Sequence, residues 1–227
     1  MKKILAIILA LTCVFAMFSC GKEGIEDQVE SIERMYSVSA PTKIVATTSS
    51  TFGNIVLDGT YTYVTGKIDG KIATVEKSVY EELASVEDGK GEIITGAVKT
   101  VSSTKEFHED LGIRESYNGA FKNWTDGYNF APVAGDIAID LAFENLKDVK
   151  YENNTLSFTV TSDKTAAVLG EDYAQDADIA VAIVNDGSVV TSITMSYTLE
   201  AEGDYPETAV VISISYEYDI QEVTLVK

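Results

Sequence analysis

The chain has 227 residues, with 17 lysines and arginines against 36 aspartates and glutamates, one histidine and a formal net charge of −19. So negative a surface repels phosphate backbones and anionic headgroups, which excludes nucleic acid as a partner and membrane binding through a basic patch. Its two cysteines, Cys13 and Cys20, both stand near the N-terminus, and the rest of the chain therefore has no disulfide, thiolate nucleophile or cysteine metal site.

At the N-terminus, Lys2 and Lys3 precede an apolar run from Ile4 to Phe18 that only Thr12 interrupts, the charged-then-apolar layout of an export signal. A membrane-spanning helix needs roughly 20 apolar residues, so this shorter run is expected to be removed and not retained. The run ends in Met17-Phe18-Ser19-Cys20-Gly21, which resembles the lipobox of bacterial lipoproteins. Ser19 and Gly21 match that pattern, whereas Met17 and Phe18 stand where the family has Leu and a small residue. The resemblance implies cleavage before Cys20, a diacylated Cys20 as the mature N-terminus, and the membrane as a partner through that lipid. An ordinary secretory signal with an incidental cysteine is the alternative. Removing residues 1–19 takes away two lysines and no acids, which leaves a charge of −21. Two acyl chains suffice for stable attachment where one would be marginal. The expected location is the outer face of the cell membrane, or the outer membrane in a cell with two.

Residues 20–24 are then a short lipidated tether, and residues 25–227 a single domain long enough to bury a core without staples. Ile25, Val29, Ile32 and Tyr36 recur at i, i+4, i+7 and i+11, with Glu26, Asp27, Glu30 and Glu33 between them. This predicts an amphipathic helix that ends before Pro41 and covers a sheet.

From Thr42 onward the composition shifts to Thr, Val, Ile, Ser and Tyr, residues suited to a pleated, half-buried surface. Asp69-Gly70 predicts a tight turn between strands Ile55–Gly66 and Lys71–Leu83. His108 lies in the polar run Lys105 to Asp110 and is expected to be solvated. Between Ser116 and Pro132 the aromatics Tyr117, Phe121, Trp124, Tyr128 and Phe130 crowd a stretch rich in glycine and asparagine. This reads as a loop. Three roles fit it: aromatics tucked into the mouth of a barrel, a rim for a hydrophobic ligand, or a platform for sugar rings. A helical turn is an open reading for Ile137 to Leu146.

Leu156, Phe158 and Val160 then alternate with Ser157, Thr159 and Thr161. Ser162 can cap a short helix from Asp163 to Leu169, and Gly170 can close it. Glu171, Asp172, Asp176 and Asp178 lack the order of a calcium loop and read as a solvated acidic turn. Asn185-Asp186-Gly187 predicts a hairpin turn between Ile179–Val184 and Ser188–Leu199. In the second of these strands Val189, Ile193, Met195, Tyr197 and Leu199 share a face opposite Ser192, Thr194, Ser196 and Thr198. The last strand repeats this alternation from Val210 to Ile220.

The fold class that follows is α+β: a large curled antiparallel sheet, or half-barrel, with an N-terminal helix and one or two short helices on its concave face. In this respect the chain resembles carrier-type bacterial lipoproteins of the LolA/LppX kind. The likeness rests on the early helix, the consecutive hairpins, Leu146-Lys147-Asp148-Val149-Lys150-Tyr151 before a Thr-rich strand, and the closing strand Ile212–Tyr218. It implies an incomplete barrel whose concave face accepts a lipid or other hydrophobic molecule, without catalysis. A sugar- or protein-binding surface protein with no internal cavity is the alternative. No nucleophile elbow, phosphate-cradling loop or dinucleotide loop occurs, so the expectation is a monomeric, non-enzymatic protein with no cofactor and no metal.

Overall fold

The structure, a computed structural model, describes residues 24–37, 40–87, 93–132, 140–170, 175–202, 206–220 and 222–225, with backbone alone for 85–87 and 93–96. The expected signal peptide, the Cys20 lipidation site and the tether up to Glu23 lie outside the described residues, as do Glu171 and Asp172. No helix among the described residues is long and apolar enough to cross a membrane.

Helix α1 spans residues 24–37. Its apolar stripe is the expected one: Val29 and Ile32 are buried, and Ile25 and Tyr36 pack against the same core. Eleven strands follow: β1 (Lys43–Phe52), β2 (Ile55–Ile68), β3 (Lys71–Glu87), β4 (Ile93–His108), β5 (Gly112–Tyr117), β6 (Ala120–Phe121), β7 (Lys147–Glu152), β8 (Thr155–Val160), β9 (Ile179–Asn185), β10 (Val190–Leu199) and β11 (Thr208–Glu217). Helix α2 (Thr165–Leu169) lies between β8 and β9.

All eleven strands form one antiparallel sheet in the order β6-β5-β4-β3-β2-β1-β11-β10-β9-β8-β7. The first and last strands pair with each other, from Lys43 opposite Glu217 to Phe52 opposite Thr208. The final strand of the chain therefore lies inside the sheet, between β1 and β10. The edges are β6 and β7, and they do not meet: the sheet is open, in keeping with a curled half-barrel.

Turn chemistry sets the register. Asp69 and Gly70 both adopt positive φ, 50° and 81°, and join Ile68 to its partner Lys71 in a two-residue turn whose twist suits a hairpin. Asn153 and Asn154 do the same between β7 and β8, at 51° and 60°. At Asn185-Asp186-Gly187 the Asp186 carboxylate accepts hydrogen bonds from the Ser188 and Val189 amides and from the Ser188 hydroxyl.

Because directly paired residues share a face, the register divides the sheet into two surfaces. The core face carries Ile44 and Ala46 of β1, Tyr63 of β2, Leu156 and Phe158 of β8, Val181 and Ile183 of β9, Ile193 and Met195 of β10, and Ile214 of β11. These belong to one buried cluster with Val29 and Ile32 of α1 and Val168 and Leu169 of α2. Each such side chain contributes about 2 kcal/mol by leaving water. The outer face of the same strands is short and hydroxyl-rich: Thr47, Ser49, Ser213, Ser215, Thr194 and Ser196.

Three details depart from the sequence reading. A bulge between Val190 and Ser192 shifts the alternation, so Val190 and not Val189 joins the core, and β10 begins two residues late. Ser162 does not cap the short helix: residues Ser162–Lys164 form a 3₁₀ turn that leads into α2, and the Ser162 amide donates instead to the Asp178 carboxylate at 3.0 Å. Gly170 closes α2 as expected, its amide bonding the Ala166 carbonyl. Strand β11 stops at Glu217, before the Tyr218 and Ile220 assigned to it, and the backbone turns at Asp219, φ 70°. The helical turn near Leu146 is 3₁₀ at Phe143–Asn145, residues 133–139 lying outside the described ones.

Candidate functional site

The aromatic stretch is not one loop. Its first part continues the sheet: β5 runs to Tyr117, Asn118-Gly119 turns the chain with φ of 52° and 92°, and β6 returns along the edge. The backbone then pairs once more, with Thr125 and Ile113 exchanging amide-to-carbonyl bonds of 2.8 and 2.9 Å. Within this edge, Glu106 and Arg114 stand directly opposite each other on the outer face. Glu106 is fully buried, and Arg114 Nε donates to its Oε2 at 2.6 Å. The guanidinium lies 4.3 Å from the Phe121 ring centre and 4.7 Å from that of Trp124. Phe121 and Trp124 therefore cover a buried ion pair, shielding it from water, which strengthens it.

After Thr125 the chain crosses the sheet edge onto the core face. Gly127 sits against Ile113, where an added Cβ would lie 2.6 Å from the isoleucine Cδ1. Thr74 Oγ1 of β3 donates to Asn129 Oδ1 at 2.7 Å, and Thr65 Oγ1 of β2 lies 3.0 Å from Thr74 Oγ1. Phe130 meets Tyr63 edge-on with ring centres 6.4 Å apart, and Lys105 Nζ lies 4.6 Å from the Phe130 ring centre. Burial, first among its causes, raises the Tyr63 phenol pKa above its ordinary value, and the nearby Glu76 carboxylate adds to the rise. Residues 125–130 thus form a strap over β5, β4, β3 and β2.

The five aromatics singled out from the sequence consequently do not converge. Phe121 and Trp124 serve the outer-face ion pair, and Phe130 packs against the core. Tyr117 and Tyr128 stay open, at 61% and 90% exposure. They have a companion that the sequence did not flag: Tyr80 of β3, 41% exposed. Tyr80 pairs with Val101 of β4, and Tyr117 pairs with Ser103 two residues further along β4, so both tyrosines lie on the core face beyond α1. Two strand spacings and one two-residue step separate their Cα atoms by roughly 12 Å. Tyr80 also faces Gly59, and the Thr48 side chain leans over that glycine: a Cβ there would lie 2.6 Å from Thr48 Oγ1. The sequence reading put Tyr117 in a loop and did not single out Tyr80; the cross-strand register shows that the two share a face.

Two polar pairs lie on the same face near these rings. Lys99 Nζ lies 2.8 Å from Glu82 Oε1 on neighbouring strands. The Glu82 carboxylate, by hydrogen bond and charge, raises the Lys99 pKa, with smaller contributions from Tyr117 and Tyr80. Tyr61 Oη donates to Glu76 Oε2 at 3.0 Å on the same face.

Elsewhere an acidic cleft of about 770 Å³ lies beside α2, lined by Asp163, Asp176, Glu200 and Glu202. Among the described residues no group of three or more His, Cys, Asp and Glu side chains is arranged to hold a metal ion. His108 ends β4, half-buried, and its Nδ1 accepts a hydrogen bond from the Asp110 amide at 3.2 Å.

No family model and no curated protein matches this chain. Among solved structures, a porin-like protein from Bacteroides uniformis aligns at 11% identity over 79% of this chain and 98% of its own, with a TM-score of 0.27. A DUF1329 family protein from Desulfovibrio piger aligns at 9% identity over 88% of this chain and 95% of its own, with a TM-score of 0.28. Both are weak fold matches.

Proposed function

We propose that the chain is an exported, lipid-anchored binding protein without catalytic activity, which lays its ligand on the core face where Tyr80 of β3 and Tyr117 of β5 are exposed. The observation that carries this reading is the uneven covering of that face. Over β1 and β8–β11 it is filled by α1 and α2 side chains, whereas over β3 and β5 it presents Tyr80 and Tyr117 to solvent. An aromatic surface left open beside a well-filled core suits a ligand with an apolar face. The carrier resemblance suggests a lipid or other hydrophobic molecule. The openness of the tyrosines, with paired charges around them, favours the sequence's alternative, a surface that receives sugar rings.

Anchoring through Cys20 and binding are tested separately. Alkyne-palmitate labelling of cells that make the full chain is expected to mark the wild type and not Cys20→Ala; equal labelling would remove the anchor. For binding, the chain from Gly21 to Lys227, which contains every described element, is offered fatty acids, phospholipids and soluble polysaccharides. Whatever the wild type binds, Tyr80→Ala/Tyr117→Ala is expected to lose; retained binding would move the site off this face.

A further inference from the structure

We infer that the ligand of the open face is a neutral oligosaccharide, stacked on Tyr80 and Tyr117 and continuing toward Tyr128. The inference rests on the binding-face reading above and adds the ligand's chemical class.

Three observations carry it. The first is the display of the rings. A pocket for an acyl chain encloses its aromatics, yet these three tyrosines are 41%, 61% and 90% exposed. They form a row and not a hollow: Tyr80 lies level with Val101, Tyr117 level with Ser103, and Tyr128 sits on the strap between Gly127 over Ile113 and Asn129 over Thr74. Measured along β4, the row extends from the Val101 rung to the Phe107 rung, about 20 Å. A chain of pyranose rings has the matching form, because each ring offers a flat face of C–H groups to an aromatic and a rim of hydroxyls to polar neighbours.

The second observation is what surrounds the rings. Ser78, Glu76, Glu82, Lys99, Ser103 and Glu115 share the core face with them. Such groups supply donors and acceptors to hydroxyls; next to an acyl chain they would be desolvated without replacement partners, at a cost in affinity.

The third is charge. Lys99 is paired with Glu82, and Lys105 stands between Glu76 and Glu115 on the neighbouring strands, so the two lysines of the patch are outnumbered by three carboxylates and offer an anion little. The whole chain carries −19, which repels uronic or sulfated polymers at long range. Charge therefore disfavours an acidic glycan and is compatible with a neutral one.

Affinity electrophoresis decides the matter. The chain from Gly21 to Lys227 is run through gels that contain mixed-linkage β-glucan, xylan, galactomannan, starch or, as a polyanion, polygalacturonate. Fatty-acid and phospholipid binding is measured in parallel by native mass spectrometry. The expected result is retardation by at least one neutral polysaccharide and none by polygalacturonate. Tyr80→Ala and Tyr117→Ala each weaken binding about tenfold, the loss of one aromatic contact, while Tyr80→Phe retains most of it because the ring remains. These positions are exposed, so matching melting curves confirm that the variants fold. If no neutral polysaccharide retards the chain but fatty acids bind and the tyrosine variants lose them, the glycan is overturned and the binding face stands. If polysaccharide retards wild type and variants alike, or if nothing binds, both fall.

Discussion

Arg114 and Glu106 are directly opposed on β5 and β4, joined by a 2.6 Å hydrogen bond, and covered by the rings of Phe121 and Trp124. A carboxylate with no exposed surface depends on that partner: removing Arg114 takes a directly bonded cation from the buried charge of Glu106. The pair is also where the edge strand and the strap are tied to the body of the sheet.

Arg114→Ala is therefore expected to lower stability by about 3 kcal/mol, the usual cost of breaking a buried pair from one side. Replacing both partners together, as Glu106→Leu/Arg114→Met, is expected to cost less than Arg114→Ala alone, because no charge is left stranded. Chemical denaturation checks this. A double variant as unstable as the sum of its parts would show that the pair is not the coupled unit described.

The strap's attachment depends on two glycines. Gly112 has φ 86°, and a Cβ there would collide with the Thr125 carbonyl oxygen; Gly127 lies flat against Ile113. Gly112→Ala is expected to break the Thr125–Ile113 pairing and expose Trp124, the only tryptophan, with a red shift in its emission and new proteolytic cuts between Lys122 and Pro132. Unchanged emission would mean that the edge tolerates the side chain.

The β9–β10 turn makes a pH-dependent contribution. Backbone hydrogen bonding from Val189, then the Ser188 hydroxyl and amide, hold the Asp186 carboxyl below its ordinary value. With the folded pKa depressed, the stabilisation is fully present above the unfolded value of about 3.9 and is lost as pH falls through the lower folded value. Asp186→Ala should thus be less stable than wild type at pH 7, and the gap should narrow as the medium is acidified below about pH 4. Denaturation midpoints at both ends measure it; a gap independent of pH would contradict the assignment.

Helix α1 docks through one apolar stripe, Ile25, Val29, Ile32 and Tyr36. Ile32, 1% exposed, sits in the cluster with Ile44 and Ile214. Ile32→Ala is expected to cost about 3 kcal/mol through lost transfer energy and the cavity left behind, and to raise hydrogen exchange across residues 24–37 above that of the β1–β11 centre. Exchange that rises equally everywhere would show that the helix and sheet open only together.

Much of the fold was legible because the chain's local choices agree with its global ones. The stripe Ile25, Val29, Ile32 and Tyr36 has helical period, the alternation around Ile193 and Met195 has strand period, and Asp69-Gly70 and Asn185-Asp186-Gly187 carry their turn chemistry in two or three residues. What escaped was non-local. Nothing near Val190 announces the bulge that exchanges it with Val189. The pairing of β1 with β11 links residues more than 150 apart, and no local signal marks which strands pair at that distance. The candidate site divided in the same way: aromatic density between Ser116 and Pro132 was visible, but it mixed Phe121 and Trp124 of an ion-pair cover, Phe130 of the core and the open Tyr117 and Tyr128. Tyr80, 37 residues before Tyr117, joins them only through the register of β3, β4 and β5.

The most direct test of the open-face account is a glycan array probed with three labelled chains from Gly21 to Lys227: wild type, Tyr80→Ala/Tyr117→Ala, and Thr194→Ala/Ser196→Ala on the opposite face of the sheet. The account predicts that wild type and the Thr194/Ser196 variant bind the same neutral glycans and that the tyrosine variant binds none of them. Binding that survives the loss of both tyrosines, or that disappears with Thr194 and Ser196, would contradict it.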